Sequence, residues 1–136
     1  MKRFSLNFSG YWREINREGI PALPGVYLVY KCIYHLQSNT VSLKDLIYIG
    51  RSKNMRERAN QHFRDGNFQV QNTEEICYSV VTLQESDLAL VENALIFAQK
   101  PPLNDSLKDN YSYAPAQFDI SGRCALLRYR QFTITP

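Results

Sequence analysis

Residues 45–63 read DLIYIGRSKNMRERANQHF, and this stretch decides the fold. Leu46-Ile47-Tyr48-Ile49 is β-branched and aromatic, as a buried strand requires. Gly50 closes that strand. Asn54, with Glu57 three residues on, then has the pattern of a capping box, which predicts a helix running to about Arg64. Upstream, Val26-Tyr27-Leu28-Val29-Tyr30 is a second strand, introduced by the breaker run Gly19-Ile20-Pro21-Ala22-Leu23-Pro24-Gly25. The polar segment Gln37 to Asp45 between the two runs predicts a long hairpin loop joining antiparallel strands. Because strand side chains alternate faces, a suitable register turns Tyr27 and Tyr48 the same way.

Downstream, Ile76 to Val81 reads as a third strand. Ser86 to Gln99 reads as a second helix, capped by Ser86 and stopped by Pro101-Pro102, with an apolar stripe at Leu88, Val91 and Leu95. Glu92 interrupts that helix, since its neighbours one turn away are Leu88, Ala89, Leu95 and Ile96. A carboxylate bordering the core must reach water, a cationic partner or a metal ion. Residues 1–19 mix aromatics with charge and read as a packing arm. The tail from Arg123 to Thr135 holds strand-like stretches without a clear position.

The chain has 136 residues and is 44% hydrophobic, enough for one core rather than two. No run of about 18 apolar residues is present, so a soluble, cytoplasmic protein with no membrane partner is expected. Cys32, Cys77 and Cys124 stand far apart and odd in number, which suits reduced thiols better than a disulfide framework. Together with His35 and His62 they have no zinc-site spacing. The net charge is only +3, but it is unevenly spread. Arg51, Lys53, Arg56, Arg58 and Arg64 face one acid, Glu57, whereas Asp65 to Gln99 has six acids and no lysine or arginine. Such a basic helix is either a solvated face or a phosphate-binding one.

In order along the chain stand Gly25-Val26-Tyr27, Tyr48-Ile49-Gly50, Arg58, His62, Glu92 and Pro101-Pro102-Leu103-Asn104. This ordered set resembles the GIY-YIG nuclease domain over roughly residues 20–105. The resemblance implies an α/β (α+β) fold with a small central three-stranded antiparallel sheet flanked by helices. Residues 1–19 would be an N-terminal arm and 106–136 a C-terminal extension packed on the same domain. It also implies a metal-dependent endonuclease that hydrolyses phosphodiester bonds with one Mg²⁺ or Mn²⁺ per site. Tyr27 would be the general base, Tyr48 a positioning group, Arg58 the transition-state stabiliser and Glu92 the metal ligand. His62, whose ordinary pKa is near neutrality, is the competing base. Arg51, Lys53, Arg56 and Arg64 would bind the nucleic-acid backbone, with DNA the first expectation and RNA left open. Gly25, Gly50 and Asn104 would be structural, Asn104 holding the loop after the Glu92 helix.

Twenty residues separate Tyr27 from Tyr48, more than is usual in the family, so the hairpin is expected to be extended. The alternative function is a nucleic-acid-binding module that keeps this fold without turnover. One active site cuts one strand, so double-strand cleavage would need a homodimer or a protein partner.

Overall fold

The computed structural model describes residues 1–136. The expected hairpin is β2 (Gly25–His35) with β3 (Thr40–Ser52), followed by α1 (Met55–Asp65), β4 (Glu74–Thr82) and α2 (Leu88–Gln99). Tyr27 pairs with Gly50 and Val29 with Tyr48, so the two tyrosines do share a face. The connection between the strands is shorter than expected. Both strands extend well past the motif, leaving only residues 36–39 as the turn, and the extra sequence is spent on strand with irregularities after Val29 and Lys31.

The sheet is larger than the predicted three strands. Its order is β3-β2-β4-β1-β5-β6, with β1 at Lys2–Arg13, β5 at Ala116–Gly122 and β6 at Gln131–Ile134. The N-terminal segment is therefore a central strand, antiparallel to β4 and parallel to β5. Its alternation carries the reason: Leu6 and Phe8 are buried while Ser5, Asn7 and Ser9 are exposed. Ala116, Phe118 and Ile120 of β5 bury one face in the same way.

Both faces of β2 are covered, which is why residues 25–30 are all buried. Val26, Leu28 and Tyr30 pack with Val91, Leu95 and Ile96 of α2 on one side. Tyr27 and Val29 pack with Met55 and Ala59 of α1 on the other. Asn54 caps α1 as expected, its side chain accepting from the Glu57 amide at 3.1 Å. The start of α2 differs: a short 3-10 turn spans Glu85–Asp87, the helix proper begins at Leu88, and Ser86 makes no capping bond. Cys32 and Cys77, on neighbouring strands with Cα atoms 6.3 Å apart, form a disulfide, against the expectation of three free thiols. Only Cys124 is free, and it is buried. No helix is long and apolar enough to cross a membrane.

β3 is an edge strand, and Asn104 completes it. Its side chain accepts from the Ile49 amide at 3.0 Å and donates to the Ile49 carbonyl at 2.9 Å, replacing a missing strand partner. The Leu103 amide adds a bond to the Ile47 carbonyl at 2.9 Å. Asn104→Ala would leave two buried backbone groups unpaired and is expected to cost about 2–4 kcal/mol of stability in denaturant melts. Asn104→Asp keeps the acceptor but loses the donor, so it should also destabilise. Melts unchanged by either substitution would show that the edge is held by something else.

Candidate active site

The site grows from the edge hairpin. Tyr27 lies directly across from Gly50, and a Cβ on Gly50 would overlap the Tyr27 phenol. The glycine of the YIG triplet is thus a requirement of close approach. Gly25 opens β2 between Ser52 and Thr82, at the point where both neighbouring strands pair with it.

On this face the rings of Tyr27 and Tyr48 are 6.4 Å apart, and His62 packs edge-on to both at 5.8 and 6.0 Å. α1 delivers His62 with its Nε2 atom 2.8 Å from the Tyr27 hydroxyl. Phe68, after the helix, covers Tyr48 and His62 at 5.4 and 4.7 Å. A cleft of about 390 Å³ opens beside them, lined by Tyr48, Arg58, His62, Asn67, Phe68, Pro102, Leu103 and Asp105. Tyr27 lies beneath it, 3% exposed.

Arg58 is half-buried and donates to the Gln61 side chain at 2.6 Å, while its charge acts on both phenols and on His62. Burial raises Tyr27 and Tyr48 above the ordinary phenol value, and Arg58 opposes that rise in each. The expectation that cations lower Tyr27 below its ordinary value is therefore not met by the resting protein. Burial outweighs the guanidinium. Burial, aided by Arg58 and opposed by Asp65, lowers His62 to about 4, so the imidazole is neutral at pH 7.

This value has a consequence for stability. The neutral ring contributes stability that is fully present above 6.5, the value of an exposed histidine, and is lost as pH falls from there toward about 4. The loss attributable to His62 should be on the order of 3 kcal/mol. Urea melts at several pH values would measure it by comparison with His62→Gln, in which this component should be missing. An equal slope in the two proteins would assign the acid lability to other groups.

Glu92 reaches the same neighbourhood from α2. Its half-buried carboxylate is close enough to raise Tyr48, and its Oε1 is 3.3 Å from Arg51 Nε. Burial pushes the Glu92 carboxyl up, with Arg51 pulling it back. Tyr48 thus stands where Glu92, Arg58 and Asp105 all act. No group of three or more His, Cys, Asp or Glu side chains that could hold a metal is assembled. A single carboxylate of this kind fits an ion that keeps most of its waters, as Mg²⁺ does, better than one needing a full protein cage. Arg51 would have to swing from Glu92 to admit it.

The other basic residues do not converge equally. Arg56 donates to the Ile20 carbonyl at 2.8 Å and ties α1 to the segment before β2. Arg64 pairs weakly with Glu57 at 3.4 Å, both well exposed. Lys53 is exposed at the turn into α1. Sequence reasoning overlooked Asn67, Phe68 and Asp105 as lining residues. The first two follow Gly66, and that run carries only a turn signal.

Residues 30–104 match the family described as GIY-YIG catalytic domain. The match covers more than half of the chain and holds Tyr48, Arg58, His62, Glu92 and Asn104, while Tyr27 lies just before it. The chain is 32% identical over 122 residues to UvrABC system protein C of Protochlamydia amoebophila, covering 85% of this chain and 18% of that protein. It is 35% identical over 101 residues to the protein of the same name from Pseudothermotoga lettingae, covering 68% and 16%. The Chlamydia abortus protein of that name is 34% identical over 101 residues, covering 69% and 15%. The chain therefore spans less than a fifth of the length of these relatives. No solved structure matches it. Motif order and these matches agree, and the chain belongs to the GIY-YIG family of endonucleases.

Proposed function

We propose that the chain is a metal-dependent endonuclease that hydrolyses phosphodiester bonds in DNA, through the cleft beside Tyr48. The observation that carries this is the gathering of Tyr27, Tyr48, Arg58 and His62 on one hairpin face, with the Glu92 carboxylate, held on α2 against the opposite face, still acting on the edge-strand Tyr48. The site-bearing unit would be residues 20–105, with 1–19 and 106–136 bracing it from the far side of β4.

Glu92 would hold one Mg²⁺ or Mn²⁺. When bound, that ion supplies positive charge to a phosphate oxygen and to the leaving O3′. Arg58 presents its planar fork to the remaining phosphate oxygens as charge builds on them. Tyr48 orients the phosphate or the attacking water. Tyr27, once ionised, takes a proton from that water as its oxygen bonds to phosphorus and the P–O3′ bond breaks; O3′ then takes its proton from solvent. Arg51, freed from Glu92, joins Lys53, Arg56 and Arg64 in neutralising flanking phosphates, which makes binding salt-sensitive. One such site cuts one strand, so double-strand cleavage would come from a homodimer or a protein partner.

Purified protein incubated with labelled duplex, branched and single-stranded DNA, and with RNA of the same sequences, tests this. Cleavage of DNA that needs Mg²⁺ or Mn²⁺ and stops on chelation is expected. Salt-sensitive binding by folded protein with no product from any substrate would instead establish a binding module.

A further inference from the structure

The ring of His62 can meet Tyr27 in two ways, as donor or as acceptor, and what stands at its other nitrogen decides which. α1 ends at Asp65, and Gly66 adopts a left-handed conformation with φ of 61°, which turns the chain back on the helix. The next residue, Asn67, is then anchored by its own amide to the His62 carbonyl at 3.2 Å. Its side-chain Nδ2 lies 2.7 Å from His62 Nδ1, while Nε2 on the opposite side of the ring faces the Tyr27 hydroxyl at 2.8 Å. The three side chains form one line from the cleft wall to the buried phenol.

We propose that Asn67 is a positioning residue that fixes His62 in the tautomer carrying its hydrogen on Nε2, so that His62 donates to Tyr27. An amide NH₂ can only donate, so Nδ1 must accept from it and cannot bear a hydrogen. A neutral imidazole then has its one hydrogen on Nε2, directed at the Tyr27 oxygen. A donor there favours the ionised phenol over the neutral one. This assigns His62 a supporting role and leaves proton abstraction to Tyr27. It rests on Tyr27 acting as the base in the hydrolysis proposed above, but the tautomer itself can be read without DNA, metal or turnover.

The test is long-range ¹H–¹⁵N NMR of the imidazole rings near pH 7. The chain has only two histidines, so a His35→Gln spectrum assigns His62. Wild-type protein should show a protonated Nε2 and a bare Nδ1. Asn67→Asp places a group that can only accept beside Nδ1, and should move the hydrogen there or protonate both nitrogens. Asn67→Ala should leave a mixture of tautomers. In a cleavage assay kcat should fall roughly tenfold for Asn67→Ala and further for Asn67→Asp, with KM little changed. A wild-type spectrum with the hydrogen on Nδ1, or a His62 spectrum indifferent to both substitutions, would overturn the inference while leaving the nuclease proposal standing. Lack of cleavage by wild-type protein that shows the expected tautomer would count against that proposal and not against the hydrogen-bond arrangement.

Discussion

Glu92→Gln is expected to lower kcat for metal-dependent cleavage by about a thousandfold or more and to make the protein more stable. The rate effect follows from losing the carboxylate proposed to hold the ion, since stabilisation of about 4 kcal/mol in the transition state corresponds to three powers of ten. The stability effect has the opposite sign because the wild-type carboxylate is held half-buried at a cost. Burial raises its pKa and Arg51 only partly offsets that. A raised folded-state value means that the charged form costs stability at neutral pH, and that this cost fades as pH falls through the folded value and then through 4.5. Glutamine removes it. A gain of about 1 kcal/mol would raise the melting midpoint by a few degrees. Single-turnover cleavage and thermal melts on the same preparation check both halves. A variant keeping a tenth of the wild-type rate would mean that the ion is not held by Glu92, and a destabilised variant would mean that the Arg51 pair dominates its energetics.

Tyr27→Phe is the second large effect. Phenylalanine keeps the ring packing against Tyr48, His62 and Tyr78, so stability should fall only by about 1–3 kcal/mol, the cost of leaving the buried His62 Nε2 without its partner. Activity should fall by about 10²–10⁴, the usual contribution of a general base. The pH profile separates the two candidate bases. Tyr27 is raised by burial, so its active, ionised fraction grows tenfold per pH unit through neutrality, and wild-type log kcat should rise with a slope near one. His62 is neutral above about 4 and, acting as the base, would give a rate that levels off well below neutrality. A plateau from about pH 5 upward, with most of the rate surviving in Tyr27→Phe, would transfer the role to His62.

The parts of this molecule that were legible in the sequence are those governed by local chemistry. Asn54 caps α1 because its side chain suits the first free amides, and the GVY and YIG runs pair because both are β-branched and aromatic. Glu92 was identifiable as a carboxylate bordering the core from its apolar helical neighbours alone. What was hidden depends on distant pairing. β1 alternates visibly at Phe4, Leu6 and Phe8, yet nothing local says that it lies between β4 and β5, strands that begin 72 and 114 residues after its own start at Lys2. The disulfide is likewise a product of β2 meeting β4, which brings together cysteines 45 positions apart. Cation lowering of Tyr27 was the natural expectation from a basic helix, but side-chain burial can only be judged once Phe68 and Tyr78 are seen to pack around the hairpin.

The convergence of the Glu92 carboxylate with the Tyr27, Tyr48 and His62 rings can be tested most directly with Mn²⁺ as a paramagnetic probe of the two histidines. His62 packs against Tyr48, on which Glu92 acts, whereas His35 lies eight residues beyond Tyr27 on β2, about 26 Å along the strand. Titrating Mn²⁺ should broaden the ring signals of His62 well before those of His35, and Glu92→Gln should abolish that preference. Equal broadening of both rings, or selective broadening of His62 that survives in Glu92→Gln, would contradict an ion held by Glu92 within reach of Tyr48 and His62.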